Sequence, residues 1–447
     1  MHLSGVPVVL LAILIVAAPA RAEDDPPAQA RSAAVAAAPA AAPAATDSVI
    51  AELSRRIDLL AGELERERLG TAAPTADQAE RGLGPAASKV YRTEHGVSVG
   101  GYGEMLYENF AAERDDDEAG GRADRLDYLR AVLYVGYKFT DRWLLNSELE
   151  FEHGSTGKGG EVSVEFAYVD YLWRPEVNMR AGLLLLPVGL LNELHEPTVF
   201  LGARRPVVEQ ALIPTTWREN GAGVYGDVGP LSYRSYVVAG LSAAGFSASG
   251  IRGGRQSGAR TVAEDWAWVG RLDWTGQPGL LAGGSVYGGR SGQGLSAEDG
   301  EELGVATTLV EGHAEWRRRG LRVRGLAVQS WIGDAADLSA SLSDTTTSIV
   351  VGEEQMGGYL EAGYDLFSER PRGELSLVPF IRYEQLDTQA AVPAGLNRNP
   401  AHDQEIWTFG VAFQPIDQVV MKSDYQDIDN AAGTGLNQFN VALGYIF

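Results

Sequence analysis

The stretch from Leu436 to Phe447 reads LNQFNVALGYIF, and from Phe439 onward a large apolar side chain falls on every second residue. Small or polar residues lie between them, with Ile446 as the exception. A period of two residues is typical of a β-strand that has one apolar face and one polar or small face. The stretch therefore predicts a strand whose two faces meet different surroundings, and its last residue is aromatic.

Two kinds of sheet fit such a strand, and the rest of the chain separates them. In a water-soluble sheet the apolar face turns toward a core, whereas in a bacterial outer-membrane barrel it turns toward lipid and the polar face lines the interior. The alternation continues from Val97 to the last residue. It predicts sixteen strands, at 97–108, 125–139, 142–153, 161–173, 177–187, 220–228, 231–242, 265–275, 279–290, 303–317, 320–331, 355–368, 374–387, 404–414, 418–428 and 437–447.

The connections between these predicted strands are short and long in strict turn. The seven short ones carry Pro, Gly or Asp, which favour tight reversals. The eight long ones are polar, Gly-rich or acidic, at 109–124, 154–160, 188–219, 243–264, 291–302, 332–354, 388–403 and 429–436. An outer-membrane barrel has this asymmetry between its two rims, and a soluble sandwich has no reason for it. We therefore predict an all-β fold, a transmembrane antiparallel β-barrel of about 16 strands over residues 97–447.

Charged residues alternate with the apolar ones in these strands. Leu129, Leu133 and Tyr137, for example, are predicted to face lipid. A charge facing lipid costs ~2–4 kcal/mol near the bilayer midplane, so the charged face must line the interior. An alternative is that many of these charges pair across neighbouring strands and stiffen the wall. The predicted pore-lining residues are Arg130, Lys138, Glu148, Glu150, Arg180, Arg271, Arg322, Arg324, Arg382 and Lys422.

The region before Val97 differs in composition and lacks the alternation of apolar and polar residues. Residues 1–22 hold an apolar run and a small-x-small site, which predicts a signal peptide. An Ala/Pro-rich linker is predicted over 23–45, and a second linker over 71–96. Between them, residues 46–70 place apolar side chains at heptad spacing, which predicts a short periplasmic helix. Both a coiled coil within an oligomer and a lone helix remain open, since two and a half heptads could hardly dimerise alone.

Composition limits the function. The net charge of −23 argues against nucleic acid as a partner, because binding it requires a Lys/Arg footprint. None of the six histidines is placed with a Ser and a carboxylate on one predicted strand face, so we expect no enzyme, no catalytic residue and no cofactor. The acidic run from Glu113 to Glu118 lacks the glycine-spaced order of a calcium loop. We predict no dedicated metal site there, but a solvated extracellular tip that bridges divalent cations to lipopolysaccharide.

Several stretches resemble the phosphate-selective porin O and P family of bacterial outer-membrane porins. They are GYGE at 101–104, ELEFEH at 148–153, FAYVDY at 166–171, GLLLLPVGLLNE at 182–193 and VPFIRYEQLD at 378–387, together with the closing strand. The resemblance implies a sixteen-stranded barrel, a homotrimer and a loop folded inward to narrow the pore. Family members known for phosphate lead the anion along arginines to lysines. This chain has only four lysines and many carboxylates, so phosphate selectivity does not follow from the resemblance.

The loop 188–219 is the best candidate for a constriction. It is long, and its apolar stretches 199–201 and 211–213 could pack inside the barrel. The planar guanidinium of arginine suits phosphate or carboxylate, so Arg204, Arg205 and Arg218 form a candidate anion filter. The alternative is that these arginines neutralise nearby glutamates or surface lipopolysaccharide.

The sequence thus predicts a porin of the bacterial outer membrane, in contact with its lipid. It would allow small hydrophilic solutes, among them anions such as phosphate, to diffuse through a water-filled pore that the loop 188–219 narrows. A second function remains open. The barrel could tether the outer membrane to the cell wall, with residues 46–70 bound to peptidoglycan.

Overall fold

A computed structural model describes the barrel region and the segment just before it. The described residues are 55–56, 79–155, 157, 159–297, 299–369 and 375–447. The predicted signal peptide (1–22) and first linker (23–45) lie outside them, and so does the predicted helix (46–70) except for Arg55 and Arg56, which are helical. These three predictions therefore stay predictions.

Sixteen strands alternate with turns and loops from Gly96 onward. They are β1 (Gly96–Phe110), β2 (Arg125–Lys138), β3 (Trp143–Glu152), β4 (Val162–Arg174), β5 (Val177–Leu185), β6 (Arg218–Val228), β7 (Leu231–Ala239), β8 (Trp266–Gln277), β9 (Leu280–Arg290), β10 (Ala306–Arg318), β11 (Leu321–Ile332), β12 (Glu354–Tyr364), β13 (Ser376–Ala391), β14 (Asp403–Ile416), β15 (Val419–Asn430) and β16 (Gln438–Ile446). The predicted count is confirmed, and most strand bounds agree within a few residues.

Each strand pairs antiparallel with its neighbours in sequence, and β1 pairs with β16, so the sheet closes. The closure extends to the last residue, because the Phe447 N–H donates to the Gly101 carbonyl (2.9 Å) and the Gly101 N–H donates to the Phe447 carbonyl (3.2 Å). A closed sheet leaves no strand edge, which a barrel in lipid requires because unpaired backbone groups are costly there.

The outer surface of the barrel carries large apolar side chains. Trp266, Trp268, Phe409 and Phe439 are each at least 40% exposed, as the alternation predicts. Most of their neighbours along the chain, which point to the opposite face of the strand, are buried inside. A closed barrel that exposes such a surface is suited to acyl chains rather than to water. The structure is therefore that of a membrane-spanning barrel.

One lipid-facing prediction is wrong. Leu129 packs inside the barrel, against the cluster of Leu106 and Ala203. The cause is an irregularity in the pairing of β1 with β2, whose register shifts between Glu104 and Leu106. Such a bulge inserts a residue and turns the side chains beyond it to the other face of the sheet.

Besides the helical pair Arg55 and Arg56, three short α-helices lie among the described residues: α1 (Lys89–Arg92), α2 (Val207–Ala211) and α3 (Ala335–Leu342). Single 3-10 turns occur at Pro197–Val199, Ala243–Gly245, Arg252–Gly254 and Pro400–His402. Within the described part of the chain, no helix is long and apolar enough to cross a membrane.

Candidate functional site

The long connection between β5 and β6 lies inside the barrel and reaches the opposite wall. The Ala203 N–H donates to Asp424 Oδ2 on β15 (2.6 Å), and the Val208 N–H donates to Glu384 Oε2 on β13 (3.2 Å). Arg322 on β11 donates to the Val199 carbonyl (2.6 Å). In the closed order of sixteen strands, β13 lies eight strands from β5. The loop therefore spans the interior from one side to the other.

Apolar packing holds this inner loop in place. Phe200, Leu201, Leu212 and Ile213 are all at most 4% exposed, in the two stretches that the sequence indicates. On the wall, Gly444 allows the close approach, since a Cβ there would lie 2.5 Å from Cβ of Pro197. Backbone donors on wall carboxylates and buried apolar side chains together fix the loop as a rigid element.

A cavity of about 430 Å³ opens above the inner loop, at the end of the barrel that bears the long loops. Six arginines and three carboxylates contribute to its wall. The charged residues around it are Arg122, Arg125, Arg130, Arg204, Arg205, Arg252, Glu104, Glu108 and Asp127, with His153. The balance of these side chains is positive although the whole chain is strongly negative. The cavity therefore has a positive electrostatic potential and attracts negatively charged groups.

Two of the three predicted filter arginines reach this cavity. Arg204 forms an ion pair with Glu108 across the cavity wall, and Arg205 is held by a hydrogen bond to the His195 carbonyl (3.2 Å). Arg218 does not line the cavity. It is 7% exposed at the start of β6, where its Nη1 lies 2.9 Å from Glu165 Oε1. The structure thus brings Arg204 and Arg205 together and places Arg218 in the wall.

Arg252, from the loop after β7, adds a positive charge that the sequence analysis did not single out. Its Nη1 donates to the carbonyls of Gln210 (2.7 Å) and Thr215 (2.6 Å) in the inner loop. Burial, followed by the neighbouring guanidinium groups of Arg255 and Arg205, lowers the pKa of Arg252 to about 10. The arginine remains charged at neutral pH.

The ten residues predicted to line the pore all lie on the interior face. Arg130 and Lys138 are half-buried, while the other eight are at most 8% exposed. The reason is that the inner loop and the segment before β1 cover them. The eight buried residues are Glu148, Glu150, Arg180, Arg271, Arg322, Arg324, Arg382 and Lys422.

Most of these charges form ion pairs along or across strands. Nε of Arg324 lies 2.8 Å from Glu361 Oε1 on the next strand, and Nε of Arg382 lies 2.7 Å from Glu384 Oε1 on its own strand. Buried charges need such partners, because an unpaired one would be strongly destabilising. The geometry therefore favours the alternative in which wall charges pair and stiffen the barrel.

Residues 79–95 lie at the opposite end, where the turns are short, and most of those from 83 to 90 are buried inside the barrel. Glu196 of the inner loop accepts hydrogen bonds from the N–H groups of Ala86 and Ala87 (both 3.0 Å). Burial raises the pKa of the Glu196 carboxyl to about 7, against the two N–H groups that lower it. A Cβ on Gly136 of β2 would lie 2.6 Å from Val90, so glycine permits this packing. We name residues 79–95 the inner segment.

Tyr91 ties the inner segment to the wall. Its hydroxyl donates to Asp170 Oδ2 (2.7 Å) and accepts from Arg180 Nη2 (2.7 Å). Arg180 Nε also lies 2.8 Å from Asp170 Oδ1. The sequence predicts a linker over 71–96, and its composition gives no sign of this packing. The one apolar pair that could have indicated it is Leu83 and Val90, each 1% exposed.

Comparison with a solved porin structure supports the fold. A porin, OmpF of Salmonella typhi in complex with daunomycin, superposes with a TM-score of 0.50 at 10% identity, over 79% of this chain and 98% of that one. The outer membrane channel DcaP of Acinetobacter baumannii has a TM-score of 0.49 at 14% identity, over 78% and 97%. The closed sixteen-stranded barrel and its apolar outer surface are those of a bacterial outer-membrane protein.

No family model matches the chain, so the resemblance to phosphate-selective porins stays a prediction. A protein of Aquifex aeolicus (strain VF5), described as uncharacterized, is 37% identical over 390 residues, which is 85% of this chain and 86% of that one. Identity of this extent over most of both chains shows common descent. The chain therefore belongs to the same family as the Aquifex aeolicus protein, and its fold is that of the outer-membrane porins.

Proposed function

We propose that this barrel is a passive channel for small hydrophilic solutes, with a preference for anions. The observation that carries the proposal is the cavity at the loop end, where six arginines outnumber three carboxylates. A cluster of fixed positive charge raises the local concentration of anions and disfavours cations. Arg204 and Arg205 are the central residues, because the inner loop holds both at the cavity wall.

Phosphate and small carboxylates are the substrate class that this site suits. The guanidinium group of arginine matches both with two parallel N–H donors. Arg122, on the rim, stacks over the Phe110 ring, with 5.2 Å between its central carbon and the ring centroid. Such stacking leaves the edge of the guanidinium available for an anion. The inner loop below the cavity would then act as the constriction.

Reversal potentials in planar bilayers test this proposal. With a KCl gradient across the bilayer, the wild-type channel should show a potential of the sign that chloride permeation gives. Replacing both Arg204 and Arg205 by Ala should move the potential toward zero or reverse its sign. Arg398→Ala, on an exposed loop and outside the cavity lining, is the matched control. Equal potentials for wild type and the double variant would contradict the anion site, and absence of any conductance would contradict the channel.

Homotrimeric assembly, contact with lipopolysaccharide and a tether to peptidoglycan through residues 46–70 are further proposals from the sequence. Light scattering on the protein in detergent would measure the number of chains. Sedimentation with purified peptidoglycan, compared between the full chain and a variant lacking residues 46–70, would measure the tether. The tether and the channel can coexist in one protein.

A further inference from the structure

Three acidic or imidazole side chains from three separate elements meet inside the barrel. Glu148 lies on β3, Glu165 on β4 and His195 in the inner loop, and each is at most 1% exposed. One possible ligand atom of each lies within 4.8 Å of the others. His195 Nε2 is 3.1 Å from Glu148 Oε1 and 3.6 Å from Glu165 Oε2. None of the three contributes to the lining of the arginine-rich cavity.

The ring of His195 is oriented by its other nitrogen. His195 Nδ1 lies 3.0 Å from the Asn192 carbonyl oxygen, which can only accept a hydrogen bond. Nδ1 therefore carries a proton and donates it, and Nε2 faces the two carboxylates. A histidine that binds a metal through one nitrogen usually donates the other N–H to a carbonyl or a carboxylate in this way.

The two carboxylates each keep one oxygen without a hydrogen bond. Glu165 Oε1 accepts from Thr216 Oγ1 (2.6 Å) and from Arg218 Nη1 (2.9 Å), whereas Glu165 Oε2, which faces His195, has no hydrogen-bond partner. Glu148 Oε2 has none either, although the residue is fully buried. Buried polar atoms without a partner are uncommon and costly. A cation beside His195 Nε2 would give Glu165 Oε2 a partner.

A β-bulge aims Glu165 into the site. The pairing of β3 with β4 shifts register between Glu148 and Leu149, so that Glu165 and its neighbour Phe166 are both buried. In a regular strand these two side chains would point to opposite faces. Bulges often occur next to functional sites, where they re-aim a side chain.

We propose that Glu148, Glu165 and His195 bind one divalent transition-metal ion, with zinc as the best match. Calcium and magnesium prefer sites made of oxygen alone, whereas an imidazole nitrogen with carboxylates suits zinc and its neighbours. Ligands ~2.1 Å from a tetrahedral ion lie about 3.4 Å apart, close to the two spacings seen here. The ion would pin the inner loop to β3 and β4, so the proposal extends beyond the channel function.

Two side chains of the cavity wall lie beside the proposed metal site. Arg130 and Arg205 both contribute to the cavity wall. Arg205 donates to the backbone carbonyl of His195, and Nη1 of Arg130 lies 3.2 Å from Glu150 Oε1, two residues along β3 from Glu148.

Zinc content of the full-length protein in detergent tests the proposal. The protein is stripped with EDTA, equilibrated with zinc, freed of excess metal and measured by atomic emission. Wild type should retain about one zinc per chain, and its melting temperature should rise with zinc, because a ligand that binds only the folded state stabilises it. His195→Gln and Glu165→Gln should each lose the zinc, whereas His402→Gln, a half-exposed loop residue, should keep it.

Two results would overturn the proposal. One is a stripped wild type that takes up no zinc and whose melting temperature zinc does not change. The other is zinc retention in His195→Gln and Glu165→Gln equal to that of wild type. The melting experiment needs wild type only, so a melting temperature that zinc does not change overturns the proposal even where a variant does not fold. Neither readout depends on conductance, so failure here is distinct from failure of the channel proposal.

Discussion

The two ends of the barrel interior differ in whether their charged side chains are covered by other parts of the chain. At the short-turn end, the inner segment covers the wall, and Arg180 is enclosed by Asp170 and Tyr91. At the loop end, no comparable segment covers the wall among the described residues, and arginines surround a cavity in excess over carboxylates. At both ends, arginines and carboxylates project inward from the strands of the barrel wall. What packs against a charge therefore decides whether it stiffens the barrel or remains accessible to a solute.

Removal of most of the inner segment should have the largest effect on the difference between the two ends. Deletion of residues 79–92 would uncover the charges at the short-turn end and widen the path for ions. We expect single-channel conductance to rise several-fold, because the segment fills the interior there. A deletion of equal length within the predicted linker 23–45 is the matched control and should leave conductance unchanged. Equal conductance for both deletions would show that the inner segment does not restrict the pore.

A smaller change of the same kind should follow from Glu196→Ala. The substitution removes the acceptor for the N–H groups of Ala86 and Ala87, so the inner segment loses one anchor but keeps Tyr91. We expect intermittent openings to a higher conductance, seen as added steps in single-channel recordings. Glu176→Ala, on an exposed short turn, should show no such steps. Recordings of Glu196→Ala that match wild type would mean that this carboxylate does not hold the segment.

At the loop end, Glu108→Gln should increase the anion selectivity of the channel by a modest amount. The carboxylate neutralises Arg204, so its removal leaves one more uncompensated positive charge at the cavity. The reversal potential in a KCl gradient should move by a few millivolts toward the value for pure chloride permeation. Asp227→Asn, which removes a carboxylate near Arg81 at the other end, should not move it. A shift in the opposite direction for Glu108→Gln would contradict an anion-selective cavity.

The smallest effect is expected outside the interior. Arg398 pairs with Asp387 (2.6 Å) and Asp403 (3.1 Å), but its side chain is 43% exposed. Ion pairs in water contribute little, so Arg398→Ala should change the free energy of unfolding by less than about 0.5 kcal/mol. Urea unfolding in detergent measures it. A loss well above that value would show that this loop pairing is part of the barrel's stability.

Much of the fold could be predicted from the sequence, because a strand in lipid must alternate and the alternation is visible in one dimension. The strand count, the order of short and long connections and the apolar stretches of the inner loop all follow from it. The inward orientation of Leu129 and Glu165 could not be predicted. A β-bulge turns each side chain to the other face of the sheet, and the alternation in the sequence does not show where a bulge occurs.

The candidate sites were less accessible to prediction, because they depend on contacts between distant residues. Arg204 and Arg205 could be proposed from their loop. Arg218 belongs to the same predicted loop as Arg204 and Arg205, yet it pairs with Glu165 in the wall. Arg252 and His195 gain their roles only from the elements that surround them in space. The packing of the inner segment was equally hidden, since a composition typical of a linker does not reveal a buried contact.

The inner loop also has a mechanical consequence. Because it is bonded to β11, β13 and β15 and begins on the far side of the ring, it works as a strut across the diameter. A hollow cylinder of strands flattens easily under lateral pressure from the bilayer, whereas a braced one keeps its round outline. We therefore expect the permeability of this barrel to be insensitive to membrane tension.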